Sequence, residues 1–159
     1  MKNTKAISIL APNDSGISGT ILFERESQNV IKISYDIKGL TDGLHGFHIH
    51  KYGDLSDGCQ SACDHFNPHN KNHGGLRSYE RHLGDLGNIQ SNNKVCKGSL
   101  KVPDLGLDYL DDNCIIGRMI IIHEDRDDLG KGKGKYEKES LKTGNAGKRV
   151  ACGVIGLKK

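Results

Sequence analysis

Between His45 and Asp85, from HGFHIH to ERHLGD, the chain carries seven of its eight histidines, and the eighth, His123, ends the run IIGRMIIIH. His48 and His50 stand two apart, and side chains two apart on an extended strand project from one face. Two imidazoles on one face make half of a four-nitrogen metal site. His65, His73 and His82 are spread along a run rich in Gly, Asn and Asp, and Asp85 follows His82 by three. A loop so rich in ligand-type side chains and so poor in apolar ones needs a metal to order it. One histidine alone is ordinarily a surface or satisfied core residue; the density of this set points to a metal cluster. An all-imidazole group suits a copper that cycles between oxidation states, and three imidazoles with a carboxylate suit a closed structural zinc.

Such ligands need a rigid frame. Alternation and short apolar runs predict strands over residues 5–10, 17–24, 30–37, 45–51, 86–90, 95–102, 115–123 and 149–157. The cleanest is VIKISYDI, with Ile31, Ile33, Tyr35 and Ile37 on one side. Turn signals separate the runs at Pro12-Asn13-Asp14-Ser15-Gly16, Asp42-Gly43 and Ser91-Asn92-Asn93. No helical periodicity is expected anywhere. The prediction is an all-β sandwich or barrel of eight strands, one domain over residues 1–159. Two long loops, near residues 52–85 and 124–148, interrupt it, and loops of that length are usually functional.

Composition agrees: no Trp, 21 Gly and only 35% hydrophobic residues suit short strands joined by turns. The net charge of +3 is modest, and basic residues are not interleaved with aromatics, so no nucleic-acid partner is expected. The N-terminal stretch MKNTKAISILAP has no long apolar segment, and no run approaches membrane-spanning length. A soluble, cytoplasmic protein with no cleaved signal and no membrane partner is the expectation. The cysteines, Cys59, Cys63, Cys96, Cys114 and Cys152, are irregularly spaced without a CxxC pair, which gives no support to a zinc ribbon or a thioredoxin-like motif. Free thiols are usual in the cytosol, and one disulfide stays open.

The motifs HGFHIHKYGD, HFNPHNKNHGG, ERHLGDLGN, CIIGRMIIIHEDRDDLGKG and KTGNAGKRVACGVIG resemble, in order and spacing, the copper/zinc superoxide dismutases. The resemblance covers about His45 to the C-terminus and, more weakly, the N-terminal strands. It implies a Greek-key, immunoglobulin-like antiparallel sandwich or barrel. It implies that His48, His50, His65 and His123 bind copper, and that His65, His73, His82 and Asp85 bind zinc, with His65 bridging. By the same resemblance Asp127 links His48 to His73, Arg149 docks a small anion beside the copper, and Cys59 pairs with Cys152. His45 and His69 receive no ligand role. The implied reaction is dismutation of superoxide to oxygen and hydrogen peroxide through alternation of Cu(II) and Cu(I), with His65 donating a proton. A homodimer, with contacts near Tyr52-Gly53, Ile116-Gly117 and residues 153–157, and loading by a copper chaperone are implied too.

Two features depart from the family pattern. Cys63 stands four residues from Cys59 and two from His65, where it could compete for Cys152, offer a thiolate to a metal or remain an idle loop thiol. The second long loop is extended and carries Lys131, Lys133, Lys135, Lys138 and Lys142, a run that is either a solvated face or a funnel for an anionic substrate. The competing functional reading is a non-enzymatic, dismutase-like copper/zinc-binding or copper-handling protein. That reading calls for added thiol motifs or a missing copper ligand; the chain has neither CxxC nor CxC and keeps the full ligand set. A structural protein retaining zinc alone would show no copper uptake and no turnover.

Overall fold

The structure is a computed structural model describing residues 5–159. The first four residues, part of the stretch read above as lacking an apolar leader, lie outside it. Eight strands follow the predicted positions: β1 (Lys5–Ile9), β2 (Ser18–Ser27), β3 (Val30–Lys38), β4 (Gly43–His50), β5 (Asp85–Ser91), β6 (Val95–Pro103), β7 (Met119–His123) and β8 (Arg149–Leu157). All neighbours are antiparallel, in the order β5-β4-β7-β8-β1-β2-β3-β6. The sheet curls into a nearly closed barrel, its ends joined by the tight turn in which Asn92 and Val95 exchange backbone hydrogen bonds.

Inward-facing residues make the core. Ile21, Phe23, Ile31, Ile33, Phe47, Ile49, Ile120 and Ile122 are fully buried in one cluster, each contributing roughly 1.5–3 kcal/mol by leaving water. On β4 this period-two pattern sends Phe47 and Ile49 into the barrel, so His48 and His50 must face outward. On β7 the same parity sends Ile120 and Ile122 inward. Met119 and Ile121 join a second small cluster with Ala62 and Cys152. That outer face is buried as well, because the two long loops fold over it.

Two expectations change. The strand predicted from Ile115 starts only at Met119, because Ile115–Arg118 close a turn through Gly117 at φ +81°. The second long loop also holds a short helix, α1 (Glu137–Thr143), ended by Gly144 in the left-handed conformation. Seven residues are too few to be helical alone or to show a period. Tertiary bonds hold it: buried Ser140 donates to Asp128 Oδ1 at 2.6 Å and its hydroxyl accepts the amide of Gly132 at 2.9 Å.

Candidate metal centre

The outer face of β4, the end of β7 and both loops bring the predicted ligands together. Donor atoms of His48, His50, His65 and His123 lie within 4.8 Å of one another, and those of His48, His65, His73 and Asp85 form an overlapping group. His82 completes the second group, its Nδ1 3.1 Å from His65 Nδ1 and 3.3 Å from Asp85 Oδ1. All of these residues are buried.

Four of the rings are oriented by a hydrogen bond through the nitrogen that faces away from the centre. His50 Nδ1 donates to the carbonyl of Cys63 at 2.7 Å and His123 Nδ1 to that of Gly147 at 3.1 Å. His48 Nε2 lies 2.7 Å from Asp127 Oδ2, and His73 Nε2 lies 2.7 Å from Asp127 Oδ1. One carboxylate thus spans the two groups. The inward nitrogens of the first group, His48 Nδ1, His50 Nε2 and His123 Nε2, are buried and have no hydrogen-bond partner. Lone pairs fixed inward by outer partners are what metal coordination requires.

Asp85 shows the same division. Its Oδ2 accepts the amides of His82 at 2.8 Å and Gly74 at 3.1 Å. Its Oδ1 faces the Nδ1 atoms of His65, His73 and His82 at 2.8, 3.0 and 3.3 Å. With Nδ1 of His65 on this side, its Nε2 is left for the other group.

The electrostatics follow from burial. Burial, reinforced by the neighbouring imidazoles, holds His48 and His50 well below the ordinary histidine range and brings His123 down to about 4. These rings are neutral at pH 7, as ligands must be. For His73 burial acts downward too, but the bond to Asp127 and the contacts with Asp85 outweigh it and push it up to about 9. For Asp85 burial acts upward, and the three imidazoles overcome it, leaving a carboxylate held far below its usual range.

The remaining predicted residues surround the centre. A cavity of about 720 Å³, open to solvent, is lined by His50, His65, His123 and Arg149. Arg149 Nη1 donates to the carbonyl of Cys59 at 2.8 Å and Nη2 to that of Cys63 at 2.6 Å. Cys59 and Cys152 form a disulfide across 93 residues, tying the first loop to β8, while Cys63 is a free, exposed thiol. Lys142 lines the cavity, and Lys131, Lys133, Lys135 and Lys138 are exposed. His69 is exposed and outside the centre. His45 is buried, with Nδ1 2.8 Å from the carbonyl of His123 and Nε2 2.8 Å from that of Thr41.

Sequence reasoning missed two supporting residues. Asn88 pairs with the backbone of Asp127, accepting its amide at 2.7 Å and donating to its carbonyl at 3.0 Å. Gly144 lies so close that a Cβ there would stand 2.1 Å from Asp127 Oδ1 and 2.5 Å from His73 Nε2. No local pattern marks Asn88; Gly144 is legible only as a helix-ending glycine.

Comparison with known proteins extends these findings. The sequence model of a family described as copper/zinc superoxide dismutase (SODC) matches residues 17–155. The extracellular Cu-Zn superoxide dismutase of Brugia pahangi is 49% identical over 156 residues, covering 98% of this chain and 77% of that protein. The Cu-Zn superoxide dismutase of Yarrowia lipolytica is 51% identical over 96% of this chain and 97% of its own. The crystal structure of the clock protein EA4 superposes with a TM-score of 0.90 at 40% identity, covering 99% of this chain and 97% of that one.

The cytoplasmic placement does not stand. A relative of nearly half-identical sequence is named extracellular, and the chain carries the Cys59–Cys152 bridge, a bond that persists in oxidising compartments. The lack of an apolar stretch near the N-terminus was no guide to compartment. The converging imidazoles, the barrel that presents them and a family match over most of the length have one common account: the chain belongs to the copper/zinc superoxide dismutase family, and is an oxidoreductase that uses copper and zinc to dismute superoxide.

Proposed function

We propose that His48, His50, His65 and His123 hold the copper, that His65, His73, His82 and Asp85 hold the zinc, and that His65 is shared. The observation that carries this reading is the convergence of three buried ring nitrogens without a partner, those of His48, His50 and His123, beside a second group gathered on Asp85 Oδ1. A buried polar atom left unpaired costs about 1–3 kcal/mol, so three in one place favour a ligand that takes their lone pairs. Bound copper supplies the one-electron oxidation and reduction by which two superoxide anions and two protons become oxygen and hydrogen peroxide.

The chain's own residues do the rest. Arg149, on the cavity wall beside His123, holds a fixed positive charge where the anion enters, its fork kept in place by the carbonyls of Cys59 and Cys63. His65, anchored through Nδ1 toward Asp85, has Nε2 to take up and hand on a proton for the second half-reaction. Asp127 keeps His48 and His73 in register, so the two halves are oriented by one group. Lys142 and the lysines before it raise the local concentration of an anionic substrate.

The same reading makes the chain one domain acting as a homodimer, loaded by a copper chaperone. Ile9 (59%), Tyr52 (47%) and Leu157 (48%) are exposed, Gly53 packs against Gly117 beside Tyr52, and this uncovered apolar surface favours a second copy of the chain. Sedimentation at a dimer's mass is expected; a monomer at all concentrations would exclude it. For the centre, metal content and superoxide decay by pulse radiolysis decide. His123→Ala should lose copper and turnover while keeping zinc, and His73→Ala should lose zinc. Full copper content and turnover in His123→Ala would overturn the assignment.

A further inference from the structure

His82 and Asp85, two of the zinc ligands proposed above, belong to one tight turn, so the backbone between them sets their separation. The amide of Asp85 donates to the carbonyl of His82 at 3.1 Å. Gly84 at the centre is locked between strand and loop. Its amide donates to the carbonyl of Phe66 at 2.9 Å and its carbonyl accepts the amide of Ile49 at 2.8 Å.

The other carbonyls of this turn share one partner. Arg81 Nη1 donates to the carbonyls of His82 at 3.0 Å, Leu83 at 3.0 Å and Asp85 at 3.2 Å. Three carbonyl dipoles aimed at one point repel one another unless a cation sits there. The guanidinium is only partly exposed, in a groove also lined by Arg25, Arg77 and Asp104. Arg25 is engaged elsewhere, with the carbonyl of Gln28 and the carboxylate of Asp108. Among the described residues, Arg81 is the cation bonded to the turn.

We propose that Arg81 is a positioning residue for zinc: by gathering the carbonyls of residues 82, 83 and 85 it sets the His82–Asp85 geometry, and through it zinc affinity and coordination. This rests on assigning zinc to His65, His73, His82 and Asp85. Arg81 touches neither metal nor substrate. It acts from the back of the turn whose front carries two ligands. A lysine would keep the charge while losing the fixed placement of Nη1.

The test uses the full chain as Arg81→Gln and Arg81→Lys, with two readouts independent of turnover: zinc affinity by chelator competition, and the visible absorption of cobalt(II) placed in the zinc position. Loss of an outer partner of a metal ligand typically weakens binding about 10- to 100-fold. That range is expected for the glutamine variant, with a shifted cobalt spectrum, and an intermediate value for the lysine variant. A residue that merely stabilises the fold would lower the unfolding temperature of the metal-free protein and leave the cobalt spectrum unchanged. Unmodified affinity and spectrum in either variant would overturn the proposal. Should the glutamine protein not fold, the lysine protein decides by the same two measurements. Zinc or cobalt uptake that survives Asp85→Asn and His73→Ala would remove the zinc assignment itself, and the inference with it.

Discussion

Asn88 and Asp127 hold each other by two reciprocal hydrogen bonds, the amide of Asp127 donating to Asn88 Oδ1 at 2.7 Å and Asn88 Nδ2 donating to the carbonyl of Asp127 at 3.0 Å. A strand residue thereby fixes the loop backbone whose carboxylate reaches both His48 and His73. Asn88→Ala removes both of these bonds and leaves the neighbouring backbone bonds, such as those of Gly46 to Asp125 and of Asp128 to Gly144, to hold the loop. Zinc affinity in this variant is expected to fall roughly 10-fold, read by chelator competition. Unchanged affinity would show that Asp127 is held well enough without it.

The Cys59–Cys152 bridge closes a span of 93 residues and holds the turn whose carbonyls seat Arg149. By the chain-entropy model such a loop contributes roughly 4–5 kcal/mol. Reduction, or Cys152→Ser, should lower the denaturation midpoint and reduce turnover together, because Arg149 loses its seat on Cys59 and Cys63. Peptide mapping without reductant should find Cys59 joined to Cys152 and Cys63 the first thiol to react, being exposed where Cys96 and Cys114 are buried. A Cys63–Cys152 peptide would contradict this pairing.

In the metal-free protein His73 is protonated at neutral pH, its folded value of about 9 standing above the ordinary 6.5. A group raised on folding stabilises fully below its unfolded value, and that contribution is lost as pH rises through the folded one. The denaturation midpoint of the metal-free protein should therefore decline between about pH 6.5 and 9, and His73→Gln should flatten the decline. Zinc must displace this proton, so zinc uptake near pH 7.5 should release acid, measurable by pH-stat. Uptake without proton release would contradict the charged state of His73.

Ser8 is fully buried, its hydroxyl is without a partner, and Gly153 packs against it. A buried unpaired hydroxyl costs about 1–3 kcal/mol. Ser8→Ala removes the penalty and leaves only a small void, so thermal unfolding should move upward. A lower unfolding temperature would mean that the hydroxyl is satisfied.

Lys142 shares the cavity wall with Glu139 and Arg149. If the loop lysines steer superoxide, Lys142→Glu should slow the second-order rate several-fold at low salt, and the gap should close as the Debye length shrinks toward ~3 Å at 1 M. Equal rates at low ionic strength would make the lysine run an ordinary solvated face.

Much of the fold was legible in the sequence because strands repeat locally. Ile31, Ile33 and Ile37 declare the inner face of β3, and HGFHIH places its imidazoles on the face opposite Phe47 and Ile49, which are buried in the barrel. The helix Glu137–Thr143 was not legible, since contacts from Asp128, and not its own period, stabilise it. Asp127 stood in the acidic run EDRDD with nothing local to separate it from its neighbours. It alone of that run is buried against two imidazoles.

What the sequence by itself determined was the inventory: which side chains carry the chemistry, how many strands frame them, and where the two long loops lie. Which face each side chain takes was decided in places only by tertiary structure, through two bulges. Strict alternation back from buried Ile89 would turn Asp85 into the apolar barrel. The register instead shifts between β4 and β5 around Gly87, at φ +79°, so Leu86 and Ile89 both pack inside and Asp85 faces the imidazoles. Likewise Arg149 shares the parity of buried Ala151. A bulge between β7 and β8 sets His123 opposite Arg149, skips Val150, and brings the guanidinium to the cavity wall. An extra residue in one strand breaks the period-two rule, and the bulge's position is set by the strand it pairs with, which the local sequence does not contain.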